Sequence, residues 1–435
     1  MDPVKSSYKD PESGVYMDAA REKIFRKLIH AADVYNDLKI FPHVSGLAAE
    51  GLHEVKKVDF MNYYFEWTFG QFRDSAIHYL EWVSMLSKQG WWFSDANPSN
   101  ITYLGNDRFI FIDHGSLVRK HDEKWRAYLQ FIKDYAYPLL YLSNHPLSVP
   151  QTLIPVMQEK GWQFNYAPPA STRFSVRYQL IRSALTLSAK RSLKDINAKT
   201  TPGNKNLEYN LAFMLDFIKS LKQQKRKTRW DDYYDGTIID DGYLETKTQA
   251  IRECVSIIRE KVRTAVDFGA SNGHLTEVLA GEFPEMTFIG IESDPSASDS
   301  LYARSKKNSI IPVFSNILQL TPPLGFDGSI DGLSGRLARS SDLSIALGII
   351  HHMMHEENLS FERIVEYFHS LSLPGGFLLI EYIGVDDPRY QLIRNPNYPH
   401  PESQEDFEIA LMRHHRIIKK IQVHHERILY LAEKK

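Results

Sequence analysis

Asp95, Asn100 and Asp113 fall within one stretch, QGWWFSDANPSNITYLGNDRFIFIDHGS, from Gln89 to Ser116. Their types and spacing suit phosphoryl transfer. That chemistry needs an Asp beside the acceptor hydroxyl and an Asn five positions on for a metal ion. It also needs a second Asp, after a short hairpin, for metal bridging the phosphates. Lys27 and Lys56 are the candidates for a phosphate-binding lysine, and no glycine-rich phosphate loop precedes them. A structural role stays open for the same residues, with Asp95 and Asn100 capping a turn and Asp113 hydrogen-bonded at a strand end.

A second set lies downstream. In VDFGASNGHLTEVLA a strand, a glycine-containing turn and a helix follow one another. Gly269 and Gly273, with Ala270, Ser271 and Asn272 between them, let a nucleoside-bearing ligand approach the backbone at the strand's end, and Asp267 precedes the turn. About 20 residues on, FIGIESDP brings Glu292 and Asp294 to the end of the next strand, where a carboxylate can accept from both ribose hydroxyls. His351 and His352, in ALGIIHHMM, have the side chain best suited to deprotonate an acceptor near neutrality. Glu381, ending FLLIE, is a second base candidate on the same rim. The pairs His414–His415 and His424–His425 match no zinc spacing, so no metal site is expected.

These residues need scaffolds. Phe69, Phe72, Ala76, Tyr79, Leu80, Val83 and Leu86 recur at three and four, predicting a long helix that Gly90 ends. NITYLG and RFIFID read as two strands joined by a GNDR turn, and aromatic-rich helical patterns then run to about Ser188. The next stretch, to Arg229, is polar and basic. Beyond it, TAVDFGA, TFIGIES, IIPVFSN, DLSIALGII and GFLLIEYI are short apolar strands alternating with helices, and the tail supplies two more. That rhythm predicts parallel βαβ units in a doubly wound sheet. The expected division is residues 1–190, a connector over 191–235, and 236–435. Trp230, Tyr233 and Tyr234 of the connector are expected to line a cleft.

The 435 residues carry 52 Lys plus Arg against 54 Asp plus Glu, a formal net charge of -2, so nothing global calls for nucleic acid. One cysteine, Cys254, excludes an intrachain disulfide and suits a cytoplasmic location. No apolar run approaches the roughly 18 residues of a membrane span.

The glycine turn, Glu292 and the segment around His351 together resemble the class I S-adenosylmethionine-dependent methyltransferases. That resemblance implies a Rossmann-like α/β domain of seven strands. It places the loop under the methionine part, Glu292 on the ribose, Asn316 of PVFSNILQL on the adenine, and Asp267 at the ligand's amino end. The Asp95–Asp113 stretch resembles the catalytic core of kinase-like folds, implying a mostly helical α+β domain ahead of the first. It departs from that pattern at Phe93, where His is usual. YYFEWTFGQFRDSA, SDANPSN, FIDHGS, VDFGASNGHL and LLIEYIGVDDP occur in an order that resembles bacterial methyltransferases related to the nodulation protein NoeA, in which Lys often stands at the place of Ser94. The expected activity is methyl transfer from S-adenosylmethionine to a small-molecule or carbohydrate acceptor. The alternatives are a bifunctional enzyme that also uses Mg-ATP at Asp95, Asn100 and Asp113, and a non-catalytic ligand sensor or scaffold.

Overall fold

The computed structural model describes residues 2–3, 15–17, 23–49, 52–121, 125–145, 150–153, 207–223, 228, 241–325, 328 and 330–435. Trp230, Tyr233, Tyr234 and the helical patterns expected between 154 and 188 lie outside the described residues. The chain divides into two compact units, Met1–Arg226 and Lys227–Lys435.

In the first unit, β1 (Asp2–Pro3), β2 (Val15–Met17), β3 (Ile24–Lys27), β4 (Val44–Ala49) and β5 (Leu52–Val55) form an antiparallel sheet in the order β1-β2-β3-β5-β4. One helix, α1 (Ala32–Leu38), lies between β3 and β4 in the chain and buries Tyr35 and Leu38. The long helix appears as α2 (Phe69–Lys88), and all seven apolar positions read from its periodicity are buried. Thr68 starts it through a capping box, its hydroxyl accepting from Gln71 N while the Gln71 side chain accepts from Thr68 N. Gly90, at φ 79°, follows its end.

After α2 come β6 (Trp91–Phe93), β7 (Ile101–Tyr103), β8 (Phe109–Phe111) and β9 (Leu117–Arg119). β7 pairs with β8 across the GNDR turn, where Gly105, Asn106 and Asp107 all take positive φ, and β6 pairs with β9. The helical run α3 (Tyr128–Phe131), a π turn at Ile132–Ala136 and α4 (Tyr137–Ser143) packs aromatic rings against α2: Phe131 and Tyr135 stack on Tyr79. Helix α5 (Leu207–Ser220), from the polar stretch, also packs on α2.

The second unit has the large, mostly parallel sheet of a mixed α/β fold. Helix α6 (Asp241–Ile258) leads into β10 (Thr264–Phe268), α7 (His274–Glu282), β11 (Thr287–Glu292), α8 (Pro295–Ser305) and β12 (Ile310–Phe314). Then follow α9 (Leu333–Ala338), β13 (Leu343–Ala346), α10 (Ile350–Glu357), α11 (Phe361–Ser370), β14 (Phe377–Ile383), α12 (Pro388–Ile393), α13 (Gln404–His414), β15 (His415–His424) and β16 (Arg427–Lys434). The order is β12-β11-β10-β13-β14-β16-β15, with the first five strands parallel and β16 antiparallel to β14. The direction of winding reverses at β10, so the carboxyl ends of β10 and β13 flank a switch point, where such sheets open a crevice. Register sets Arg427 against Ile383, at the carboxyl end of β14 and on the same rim.

Candidate active site

The crevice begins with what the chain must do after β10. Strand residues 264–268 are fully buried, and the chain must turn off the sheet. Gly269 does so at φ 74°; a Cβ there would sit 2.7 Å from Ile349 Cγ2, so the β13–α10 turn closes down on glycine alone. Ser271 also takes positive φ, 51°. Gly273, at φ 79°, starts α7; a Cβ there would meet Leu301 Cδ1 at 2.5 Å.

Glu292, at the end of β11, curls back over this turn. Its Oε2 accepts from Ser271 N at 2.8 Å, and its Oε1 accepts from Ser293 N at 2.7 Å and Asp294 N at 2.8 Å. A carboxylate has about four acceptor sites, so capacity remains for a ligand hydroxyl. Burial pushes Glu292 above the ordinary carboxyl range, against the pull of those three N–H groups. Asp267 is buried, accepts from Thr276 Oγ1 at 2.6 Å, and is pushed up to about 6 by burial.

A cleft of about 310 Å³ opens here. Of the residues expected from sequence, Asp267, Gly269, Ala270, Ser271, Glu292, Asn316 and His352 line it. The Oγ of Ser271 is buried on this wall without a partner. Asn316 holds its own turn, Oδ1 accepting from Leu318 N at 2.9 Å. His352 Nδ1 lies 3.0 Å from Glu356 Oε1, and Glu356 lines the cleft too.

Five expected residues are placed elsewhere. Asn272 lies in the turn just before α7, its Oδ1 accepting from His274 N at 3.0 Å, and Gly273 is the N-cap and seats Leu301. Asp294 caps α8, accepting from Ser296 N and Ala297 N. Each is used by a helix start and does not line the cleft. His351 is buried beside Tyr390, and burial lowers its pKa well below the ordinary value, leaving the ring neutral in the core. Glu381 is no free base either. It is fully buried, with Lys247 Nζ at 2.6 Å from Oε2 and Tyr243 Oη donating to Oε1 at 2.8 Å. Burial raises Glu381, but Lys247 and Arg427 together hold it below its ordinary pKa.

Sequence reasoning missed the other side of this network. Tyr243 and Lys247, one turn apart on α6, line the cleft, as do Arg427 and Arg389. Arg427 donates from Nε and Nη2 to Asp387, at 2.8 and 3.1 Å, and from Nη1 to Tyr243 Oη at 2.9 Å. Burial pushes the Tyr243 hydroxyl up to about 12, so it stays a donor. A chain of charge-assisted bonds therefore runs Asp387–Arg427–Tyr243–Glu381–Lys247 beneath one end of the cleft. Only the tyrosine and lysine spacing on one helix face could have hinted at it.

In the first unit the structure brings the other set together. Asn100 Nδ2 donates to Asp95 Oδ2 at 3.1 Å, and the Asn100 carbonyl accepts from Ile112 N at 2.7 Å, next to Asp113. Asp95 also accepts from Asn97 N and from the Gln130 side chain. Asp113 is tied to its own turn by Gly115 N and by Ser116 Oγ. Lys27 and Lys56 are both exposed, and it is Arg26 of β3 whose guanidinium lies 3.6 Å from Asp113 Oδ1. Phe93, in place of the usual His, stacks on Phe111 at 4.1 Å within the aromatic core. Among the described residues no group of three or more His, Cys, Asp or Glu side chains could hold a metal ion, and no helix is long and apolar enough to cross a membrane.

No protein-family model matches the chain. Solved structures similar to part of it include the antibiotic-resistance methyltransferase Kmr, at 16% identity and TM-score 0.29, over 43% of this chain and 93% of that one. They also include the bifunctional kinase-methyltransferase WbdD, at 15% identity and TM-score 0.32, over 46% of this chain and 41% of that one. At such scores the likeness carries no functional weight. The whole-length likeness is to the nodulation protein NoeA of Rhizobium meliloti (strain 1021), 24% identical over 455 residues, covering 96% of this chain and 93% of that protein. The chain is thus a NoeA homologue along nearly its entire length.

Proposed function

We propose that the second unit is a class I methyltransferase domain, Rossmann-like, that takes S-adenosylmethionine in the cleft between β10 and β13. The observation that carries this is the joint geometry of the glycine turn and Glu292: a carboxylate with spare acceptor capacity above a buried, unpartnered Ser271 Oγ. The sheet order, with an antiparallel β16 inserted beside β14, supports the same fold, and a cleft of about 310 Å³ is in the range of small-molecule sites. Glu292 would hold the ribose, Asn316 the adenine edge, and Asp267 the cationic amino end.

S-adenosylmethionine, when bound, supplies a methyl group already activated on its sulfonium. The protein's work is then alignment and proton removal. His352 is the base. In this reading Nδ1 donates to the Glu356 carboxylate, 3.0 Å away, and Nε2 takes the proton from the acceptor. The acceptor is a small molecule or carbohydrate, and the site is cytoplasmic in keeping with the single reduced Cys254. Calorimetric titration with S-adenosylhomocysteine tests the reading. Wild type should bind and Glu292→Ala should bind roughly tenfold or more weakly, the scale of one or two lost hydrogen bonds. Failure of folded wild type to bind would overturn it.

A second activity is favoured by one observation. The order β1-β2-β3-β5-β4, with α1 between β3 and β4, supports a kinase-like small lobe, and Arg26 of β3 lies 3.6 Å from Asp113. In that reading Asp95 is the base, Asn100 and Asp113 hold magnesium, and Arg26 meets the phosphates of ATP.

A further inference from the structure

One cation of the cleft is left over by this assignment. Arg389, half-buried in α12, lines the cleft with Glu292 and His352, yet among the described residues its guanidinium makes no ion pair and no hydrogen bond. Only its backbone N–H is engaged, donating to Asp387 Oδ1 at 2.9 Å. The other cations on the wall are balanced. Lys247 is 2.6 Å from Glu381, and Arg427 grips Asp387 through two bonds. Glu356 and Glu357 share the cleft, but neither comes within ion-pair distance of Arg389. An arginine lining a concave site with no counter-charge on its guanidinium suits a planar or tetrahedral anion, which its forked donors match bidentately.

Its place in the sheet says which molecule. Ser271, Glu292 and Asn316 lie at the carboxyl ends of β10, β11 and β12, while Arg389 and Arg427 sit at the carboxyl end of β14, beyond β13. From β11 to β14 is three strand spacings, about 14 Å, room for a nucleoside and its amino-acid arm before the β14 end begins. Resting on the methyltransferase reading above, we infer that the β14 end of the cleft is an anion subsite, in which Arg389 holds a phosphate or carboxylate group of the methyl acceptor. Asp387 builds it by fixing both the Arg389 backbone and the Arg427 side chain, and Tyr243 Oη, held by Arg427 and Glu381, backs it.

The test is calorimetry on the full chain. S-adenosylhomocysteine is titrated first; sodium phosphate and sodium acetate are then titrated into the complex, with ionic strength held constant by chloride. Wild type, Arg389→Gln and Arg389→Lys are compared. One of the two anions should bind the wild-type complex and bind Arg389→Gln roughly tenfold more weakly, with partial recovery in Arg389→Lys and little change for S-adenosylhomocysteine. An affinity unaltered by Arg389→Gln, or no anion binding at all, overturns the subsite. A third arm replaces S-adenosylhomocysteine with 5′-methylthioadenosine, which lacks the amino-acid carboxylate. Anion binding seen only there, with Arg389→Gln weakening S-adenosylhomocysteine itself, would assign Arg389 to the cofactor's own carboxylate and overturn the inference. Loss of S-adenosylhomocysteine binding in every form sinks the parent reading instead, and anion titration of the ligand-free chain then decides Arg389 separately.

Discussion

Burial holds the Asp267 carboxyl at about 6, so the group titrates just below neutrality while facing the cleft. A ligand amino cation beside it favours the ionised form, and below pH 6 binding must first expel a proton. S-adenosylhomocysteine affinity should therefore be level above about pH 7 and fall towards tenfold per unit below 6. Calorimetry between pH 5 and 8 reads this, and the slope should vanish in Asp267→Asn; a slope that survives there assigns the titration to another group. The sign for folding is the opposite. A raised acid pKa gives stability present below the unfolded carboxyl range and lost as pH rises through 6, so Asp267→Asn should stabilise the ligand-free protein only at the higher pH. Lys247 and Glu381 make a second residue-scale prediction. Lys247→Met leaves a fully buried carboxylate with its tyrosine donor but without its nearest cation, and should cost roughly 3 kcal/mol in urea unfolding, with Lys247→Met/Glu381→Gln recovering most of it. An equal loss in the double variant would show that the pair is not the cause. Pairings of this kind were illegible in the sequence. Lys247 and Glu381 are 134 positions apart, Tyr243 and Arg427 184, and nothing in the local pattern of α6 or β16 names its partner. The place of Glu292 beside the glycine turn was legible because its spacing from that turn is itself a local signal.

At the scale of elements, the apolar pattern was a sufficient guide to α2 and to β10 through β14. Each of the seven apolar positions from Phe69 to Leu86 is buried in α2, and β10 to β14 fall on the five apolar runs because a strand covered on both faces reads as continuously apolar. What the pattern could not give is use. Asn272 and Asp294 look like ligand residues by position, but Asp294 caps the open N–H groups of α8, and Asn272 closes the turn ahead of α7 on His274 N. The same demand yields a prediction at Thr68, whose hydroxyl and reciprocal Gln71 close the start of α2. Thr68→Ala should lower stability by about 1 kcal/mol, and Thr68→Ser should restore it. Gly273→Ala should cost more, because it combines positive φ with a clash against Leu301, and relief by a second substitution Leu301→Ala would identify the clash as the cause.

Two compact units, each with its own sheet and core, should unfold as two cooperative events, and each ligand should then label the unit that binds it. Calorimetric melting of the full chain separates the readings of the first unit in this way. S-adenosylhomocysteine at about 100-fold its dissociation constant adds roughly 2.7 kcal/mol to whatever unit holds it, and should move one transition only. Mg-ATP is the discriminating addition. Asp95 and Asp113 are already engaged by Asn100, Gln130, their own turns and Arg26, so metal and phosphate must displace protein contacts to enter. If the site still takes nucleotide, the other transition rises, and Arg26→Ala and Asp113→Ala both abolish the rise while leaving the S-adenosylhomocysteine shift intact. If Mg-ATP moves neither transition at millimolar concentration, the bonds seen around Asp113 are the whole of its role. The phosphotransferase reading then fails, and methyl transfer stands alone as the chemistry of the chain.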